Sequence, residues 1–289
     1  MMRGVTFIDS PRNRRIHAAI ALRDRRDRIA TGMTIVDGAR ECRVAVEAGV
    51  EVQTAFVCPA LLRSEDGLTA TRLARAGGAE TVEVSERTFE KLAFGDRADG
   101  IVLVVRPPAR ALDDLAVPAE PLILVTEDVE KPGNLGAILR TADAAGFDAV
   151  IAIGGTDLFN PNVVRASVGT VFRVPLAAAT AEASLGWLRS RSIRIVAALV
   201  DATRVYWDAE LRGALAIVVG SEATGLSGAW DGPGVDAVRL PMLGAADSLN
   251  VAATAAILAY EARRQRSAGS AHEARPALTA AVSPGAGPQ

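Results

Sequence analysis

Along most of the chain, short apolar runs alternate with stretches whose apolar residues recur every three to four positions. Met33-Thr34-Ile35-Val36, Val52 to Cys58, Thr81 to Val84 and Ile101 to Val105 are compact and rich in β-branched residues, which predicts strands. Between them, Ala39 to Ala48, the segment within Thr71 to Ala76, and Ser85 to Leu92 read as helices. Ser85 is placed as an N-cap, with Thr88 where a capping box would carry Glu. Short connections between alternating elements predict a small α/β unit over Pro11 to Arg106. Arg106-Pro107-Pro108-Ala109-Arg110 through Pro118-Ala119-Glu120-Pro121 lacks such a pattern, and its prolines predict a semi-extended linker over 107–120.

A second α/β pattern follows. Leu122-Ile123-Leu124-Val125 is a continuous apolar run, as in a strand buried on both faces. Asn134 to Ala145 has helical spacing, with Leu135, Ile138 and Leu139 on one side and Gly146 as a stop. Ala149 to Ile153, Ile193 to Ala198 and Leu215 to Val219 are further strands, and Ser248 to Arg266 is a long terminal helix. From Ser267 onward Ala, Gly, Ser and Pro dominate, the composition of a disordered tail. The expected organisation is therefore an N-terminal unit (1–106), a linker (107–120), a C-terminal unit (121–266) and a tail (267–289).

Composition narrows the functional classes. A length of 289 residues suits two domains, and 49% apolar with 23% charged residues is an ordinary globular balance. The formal net charge of -2 argues against a uniformly basic nucleic-acid binder but leaves room for a local patch. Such a patch is visible in Pro11 to Arg28, where seven arginines stand against Asp24 and Asp27. On one continuous helix Arg12, Arg15, Arg23 and Arg26 would share a face about 80° wide. That stripe is either a solvated helix surface or an edge that contacts phosphates. With two cysteines and two histidines, one of them (His272) in the tail, neither a disulfide framework nor a metal ligand set is indicated, and histidine acid-base chemistry is disfavoured. The start of the chain lacks the apolar segment of a signal peptide, and no run approaches the roughly 20 apolar residues of a membrane span. A soluble cytoplasmic protein is expected.

Three clusters remain. Val218-Val219-Gly220-Ser221-Glu222-Ala223-Thr224-Gly225-Leu226 runs from a strand into a glycine-punctuated turn. Arg239-Leu240-Pro241-Met242 leads to Ser248-Leu249-Asn250-Val251-Ala252, and upstream lies Glu130-Lys131-Pro132-Gly133-Asn134-Leu135-Gly136-Ala137-Ile138-Leu139-Arg140. Any one alone is an ordinary turn between strand and helix. In this order and spacing, across Pro121 to Arg266, the three resemble the motifs of the SpoU (TrmH-like) branch of the SPOUT RNA methyltransferases. Pro11 to Arg106 more weakly resembles the ribosomal-protein-like substrate-binding domain that many members carry in front.

The resemblance implies an α/β fold: a C-terminal parallel-sheet domain with a deep trefoil knot, preceded by a smaller α/β RNA-binding domain. It implies 2'-O-methylation of RNA riboses with S-adenosyl-L-methionine, most plainly on 23S rRNA, by a homodimer whose site borrows groups from the partner. By the same resemblance Arg140, Asn134, Glu222, Ser248 and Asn250 are catalytic, and Leu199, Gly220, Leu240, Met242 and Leu249 hold the cofactor, chiefly through main-chain groups. Arg165, in Asn160-Pro161-Asn162-Val163-Val164-Arg165, would lie near substrate phosphate, and the resemblance favours RNA contact for the Arg12, Arg15, Arg23 and Arg26 stripe. A charged guanidinium has no acceptor, so Arg140 is read as a clamp on the phosphate beside the target ribose rather than as a base. Asn134 and Ser248 could instead be plain helix caps. Three alternatives stay open: a transfer-RNA methyltransferase, a catalytically silent RNA-binding module, and a nicotinamide enzyme, the last lacking the glycine fingerprint. Membership of a group that protects ribosomes from antibiotics is also left open.

Overall fold

The computed structural model describes residues 6–94, 98–108 and 111–267. Its first half contains β1 (Thr6–Ile8), α1 (Arg14–Ala21), α2 (Arg25–Thr31), β2 (Thr34–Asp37), α3 (Ala39–Glu47), β3 (Glu51–Val57), α4 (Glu65–Ala76), β4 (Glu80–Val84), α5 (Glu86–Leu92) and β5 (Ile101–Arg106). The strands form one mixed sheet in the order β1-β4-β3-β5-β2. Parallel pairs link β1, β4 and β3, and antiparallel pairs link β3, β5 and β2. Ala39, Cys42, Ala70 and Ala74 of α3 and α4 cover one face, and Ile16, Ala19, Phe89 and Leu92 of α1 and α5 cover the other. Covered on both sides, β2 and most of β5 are buried, which explains the unbroken apolar run of β5.

The arginine-rich segment is not one helix. Asp24 restarts the chain by accepting a hydrogen bond from Arg26 N at 2.8 Å, and Gly32 closes α2 in the left-handed region at φ 66°. Counting residues at 100° each fails across that break, so the stripe of Arg12, Arg15, Arg23 and Arg26 does not exist as a single face.

The second half contains β6 (Leu122–Glu127), α6 (Pro132–Ala145), β7 (Ala149–Ile153), α7 (Pro161–Ala166), β8 (Leu176–Ala179), α8 (Ala181–Ser190), β9 (Arg194–Ala198), β10 (Leu215–Val219), β11 (Val235–Val238) and α9 (Val251–Ser267). Its six strands are all parallel, in the order β11-β9-β10-β6-β7-β8. Helices α6, α7 and α9 cover one face, and α8 covers the other through Trp187 and Leu188. The order reverses between β6 and β10, and open parallel sheets take ligands at the carboxyl ends of strands beside such a reversal.

The two halves share a core. Val36, Ala39 and Cys42 belong to the same buried cluster as Val163, Val164 and Phe172. Polar contacts follow the same seam: Thr34 Oγ1 donates to Phe159 O at 2.7 Å, and the buried Arg28 donates from Nε to Asp157 Oδ2 at 2.8 Å. At Gly169, φ 80°, a Cβ would lie 3.2 Å from the backbone of Glu41, so a side chain there would push α3 away. The segment 111–120 is no free linker either, since Leu115 is buried against the second sheet. Of the expected tail (267–289), Ser267 is instead the last residue of α9, and 268–289 lie outside the described residues.

Candidate functional site

Gly220 follows β10 at the strand reversal. A Cβ there would strike the Gly225 carbonyl and lie 2.7 Å from Leu226 N, so only glycine lets the turn fold back on the strand end. Ser221 N donates to Gly225 O at 3.1 Å and Gly225 N to Ser221 O at 3.0 Å. Buried Glu127, at the end of β6, fixes the far side of this loop. It accepts from Ser227 N at 2.7 Å, Ser227 Oγ at 2.8 Å and Trp230 Nε1 at 3.1 Å. Three donors on one buried carboxylate hold the loop in a single placement.

The chain leaving β11 completes a cavity of about 530 Å³ against this turn. Leu199, Gly220, Leu240, Met242 and Leu249, the five residues expected to hold a cofactor, all line it, together with Ser248, Asp201 and Thr254. Among the described residues, no backbone-backbone hydrogen bond uses a peptide group of Leu240 to Leu249. Peptide groups normally find partners, so this wall offers donors and acceptors to a ligand. Its apolar side chains and size suit an organic molecule with a few polar anchors.

Beside the cavity stands a polar cluster. Glu222 accepts from Lys131 Nζ at 2.6 Å, from Asn134 Nδ2 at 3.0 Å and from Asn250 Nδ2, which also reaches Asn134 Oδ1 at 3.1 Å. The bond from Lys131 holds the Glu222 carboxyl below its ordinary range and in return raises the lysine. Both are therefore charged near neutral pH, and neither titrates there. Asn250 does double duty, since its Oδ1 caps α9 through Ala252 N at 2.9 Å. The helix begins at Val251, so Ser248 is not its cap. Asn134 is not a cap either: α6 starts at Pro132 after Lys131, which frees the Asn134 amide to face Glu222.

Arg140 stands apart. It is exposed on α6, six residues beyond Asn134, about 9 Å along the axis and about 120° round it. It does not line the cavity. Arg165, expected near phosphate, instead donates to Phe94 O of the first half. Arg15 forms an ion pair with Glu80, and Arg23 caps the end of α5 by donating to the carbonyls of Lys91, Leu92 and Ala93 while lying over the Phe94 ring. Arg12 and Arg26 remain exposed. Lys131 joins the cluster without a role that the sequence pattern assigns it; its place one residue ahead of a helix-starting proline is the available signal.

Residues 121–260 match the model of the SpoU rRNA Methylase family, and residues 13–103 match the MRM3-like substrate binding domain. The chain is 36% identical over 196 residues to the 23S rRNA (guanosine-2'-O-)-methyltransferase RlmB of Vibrio vulnificus, covering 65% of this chain and 79% of that one. It is 30% identical over 256 residues to the 23S rRNA (uridine(2479)-2'-O)-methyltransferase of Streptomyces viridochromogenes, covering 86% and 88%. The crystal structure of the SpoU methyltransferase AviRb from Streptomyces viridochromogenes in complex with AdoMet superposes with a TM-score of 0.80 at 30% identity, covering 88% and 98%.

Proposed function

This chain belongs to the SpoU rRNA methylase family, with its SPOUT knotted fold, and on that premise we propose that it transfers a methyl group from S-adenosylmethionine to a ribose 2'-hydroxyl of 23S rRNA. The observation that carries the reading is the meeting of a cavity walled by unengaged peptide groups with the Lys131, Asn134, Glu222 and Asn250 cluster at one end of the sheet.

The cavity fits the donor. Leu240, Met242, Leu249 and Leu199 supply apolar walls, and the peptide groups of Gly220, Leu240, Met242, Ser248 and Leu249 on the cavity wall supply main-chain anchors. When bound, the donor presents a sulfonium methyl, an electrophile whose transfer to oxygen neutralises charge. The protein's share is then placement and exclusion of water rather than a strong new field. Glu222 is locked as an acceptor for two amides and an ammonium, so it orients Asn134 and Asn250 and leaves proton removal to phosphate or water. Ser248, on the cavity wall, is placed to position the acceptor hydroxyl.

Arg140 clamps the phosphate beside the target ribose in this scheme. In its own chain it points away from the cluster, so a second copy supplies it, and the active form is a homodimer with a two-fold interface. The 121–266 unit carries the transfer and the 1–106 unit grips RNA. A cytoplasmic location accompanies that substrate; among the described residues no helix is long and apolar enough to cross a membrane.

Calorimetry with S-adenosylmethionine, followed by methyl incorporation into 23S rRNA and mapping of the modified ribose, tests the reading. Saturable donor binding and one modified ribose are expected. Failure to bind the donor would overturn it. Arg140→Lys keeps charge but loses the planar fork; a drop in kcat of tenfold or more is expected, and full turnover would remove Arg140 from its role.

A further inference from the structure

The sheet edge that carries the site also carries a second hollow, some distance away, that the reading above does not use. We infer that the crease between α2 and the carboxyl ends of β7 and β8 seats one unpaired nucleotide of the substrate RNA, within about three positions of the nucleotide that is methylated. The inference rests on the proposed RNA-methylating function and extends it to a residue set outside the motifs.

The crease encloses about 600 Å³ and is built from both halves of the chain. One wall is α2, which contributes Arg25 and Ile29. The opposite wall is the Gly154-Gly155-Thr156 turn after β7, where φ is 58° and 71°, and where a Cβ on Gly155 would lie 2.7 Å from Val129 O. Both glycines lie in the left-handed region and let the turn pack directly against Asp128 and Val129, which fixes this wall in place. Arg28 and Asp157 form a bonded pair at the base of the crease, so its walls do not drift apart.

Its chemistry is that of a nucleotide site. Ile29, 72% exposed, lines the crease together with Pro107 and Pro108, and the three offer an apolar surface to a base. The Arg25 guanidinium, exposed and without a bonded partner among the described residues, supplies the charge for a phosphate. A protein or lipid partner would not explain this pairing of one free cation with a glycine-lined slot. Recognition of single-stranded RNA combines these two contacts, a surface for the base and a cation for the backbone.

The crease also opens toward the methylation site. A smaller hollow that shares Arg25 and Thr156 with the crease is also lined by Asn160 and Glu130, and the next, lined by Glu130, Lys131, Asn134 and Glu222, shares Ser221 and Glu222 with the lining of the donor cavity. Glu130 on this track is answered by the neighbouring Lys131 ammonium. From β6 to β8 is two strand spacings, about 10 Å. Stacked nucleotides rise about 3.4 Å each, so the seated nucleotide lies within about three positions of the target ribose.

The test uses the full-length protein and in vitro transcribed 23S rRNA. Arg25→Ala should raise KM for RNA about fivefold to tenfold with kcat within about twofold, leave donor affinity unchanged, and flatten the plot of log binding constant against log salt by about 0.7, the contribution of one single-strand phosphate. A photo-crosslinker at Ile29 should capture RNA within three nucleotides of the modified ribose. Unchanged KM and salt slope in Arg25→Ala, or crosslinks confined to distant helices, would overturn the inference. Should the wild type transfer no methyl group, the enzymatic reading falls by itself, because the Arg25-dependent salt slope is read without turnover.

Discussion

The side chains nearest the chemistry are tuned against titration. Lys131 and Glu222 hold each other charged, the lysine raised and the glutamate lowered. Between about pH 5 and pH 9 neither changes state, so this pair should add no inflection to the pH dependence of kcat. Glu222→Gln keeps the shape but offers an amide to two amides and an ammonium. It should lower kcat at least tenfold while donor affinity holds, as calorimetry beside turnover would show. Asp37 behaves oppositely. Buried at the seam, it is pushed up to about 6 by desolvation, against the opposing pull of the Phe94 N–H, Arg165 and the Gly38 N–H, and with Asp99 adding to the rise. Its Oδ2 accepts from Phe94 N at 2.5 Å while Oδ1 is buried without a hydrogen-bond partner among the described residues. In the unfolded chain its carboxyl titrates near 3.9, so the native state holds the proton more tightly and stability falls as pH rises through about 4 to 6. Urea unfolding should show the wild type losing about 1 kcal/mol between pH 5 and pH 8 that Asp37→Asn does not lose.

Elements differ in how far the sequence disclosed them. Buried parallel strands such as β6 and β10 were legible because unbroken runs of Leu, Ile and Val have no other stable use at that length. β8, Leu-Ala-Ala-Ala, was not, since alanine carries no strand signal and the sheet alone makes it extended. The same holds for β1 and β11, three and four residues long at the sheet edges. That five positions would line one cavity followed from family resemblance, whereas the capping role of Asn250 and the freedom of Asn134 depend on where each helix begins, a boundary that periodicity does not resolve. That boundary yields a test. Asn250→Asp keeps an oxygen to cap α9 but turns a second oxygen toward Glu222 in place of the amide donor. Methyl transfer should fall at least tenfold with thermal stability nearly retained, whereas Asn250→Ala should also lose about 1 kcal/mol with the cap. Similarly Leu249→Ala should weaken the donor less than Leu249→Pro, which removes a peptide N–H from the cavity wall; equal losses by calorimetry would argue against main-chain capture.

At the scale of the molecule, one residue decides whether a single chain can hold the whole site. Arg140 shares a helix with Asn134 but faces a different direction, and in the proposed homodimer Arg140 serves the site of a neighbour. Mixing distinguishes this from every arrangement within one chain. Arg140→Ala and Glu222→Ala proteins are each inactive in either case. If the sites are shared, a mixed dimer joins the intact Glu222 of one chain to the intact Arg140 of the other and leaves its second site doubly defective. Random pairing of equal amounts makes half of the dimers mixed, so about a quarter of wild-type activity should return. If each chain uses its own arginine, no intact site exists in any pairing and no activity returns. Dissociation and reassociation of the two variants before assay, with each alone as control, reads the difference directly, and recovery that grows with the mixed fraction would place the arginine across the two-fold axis.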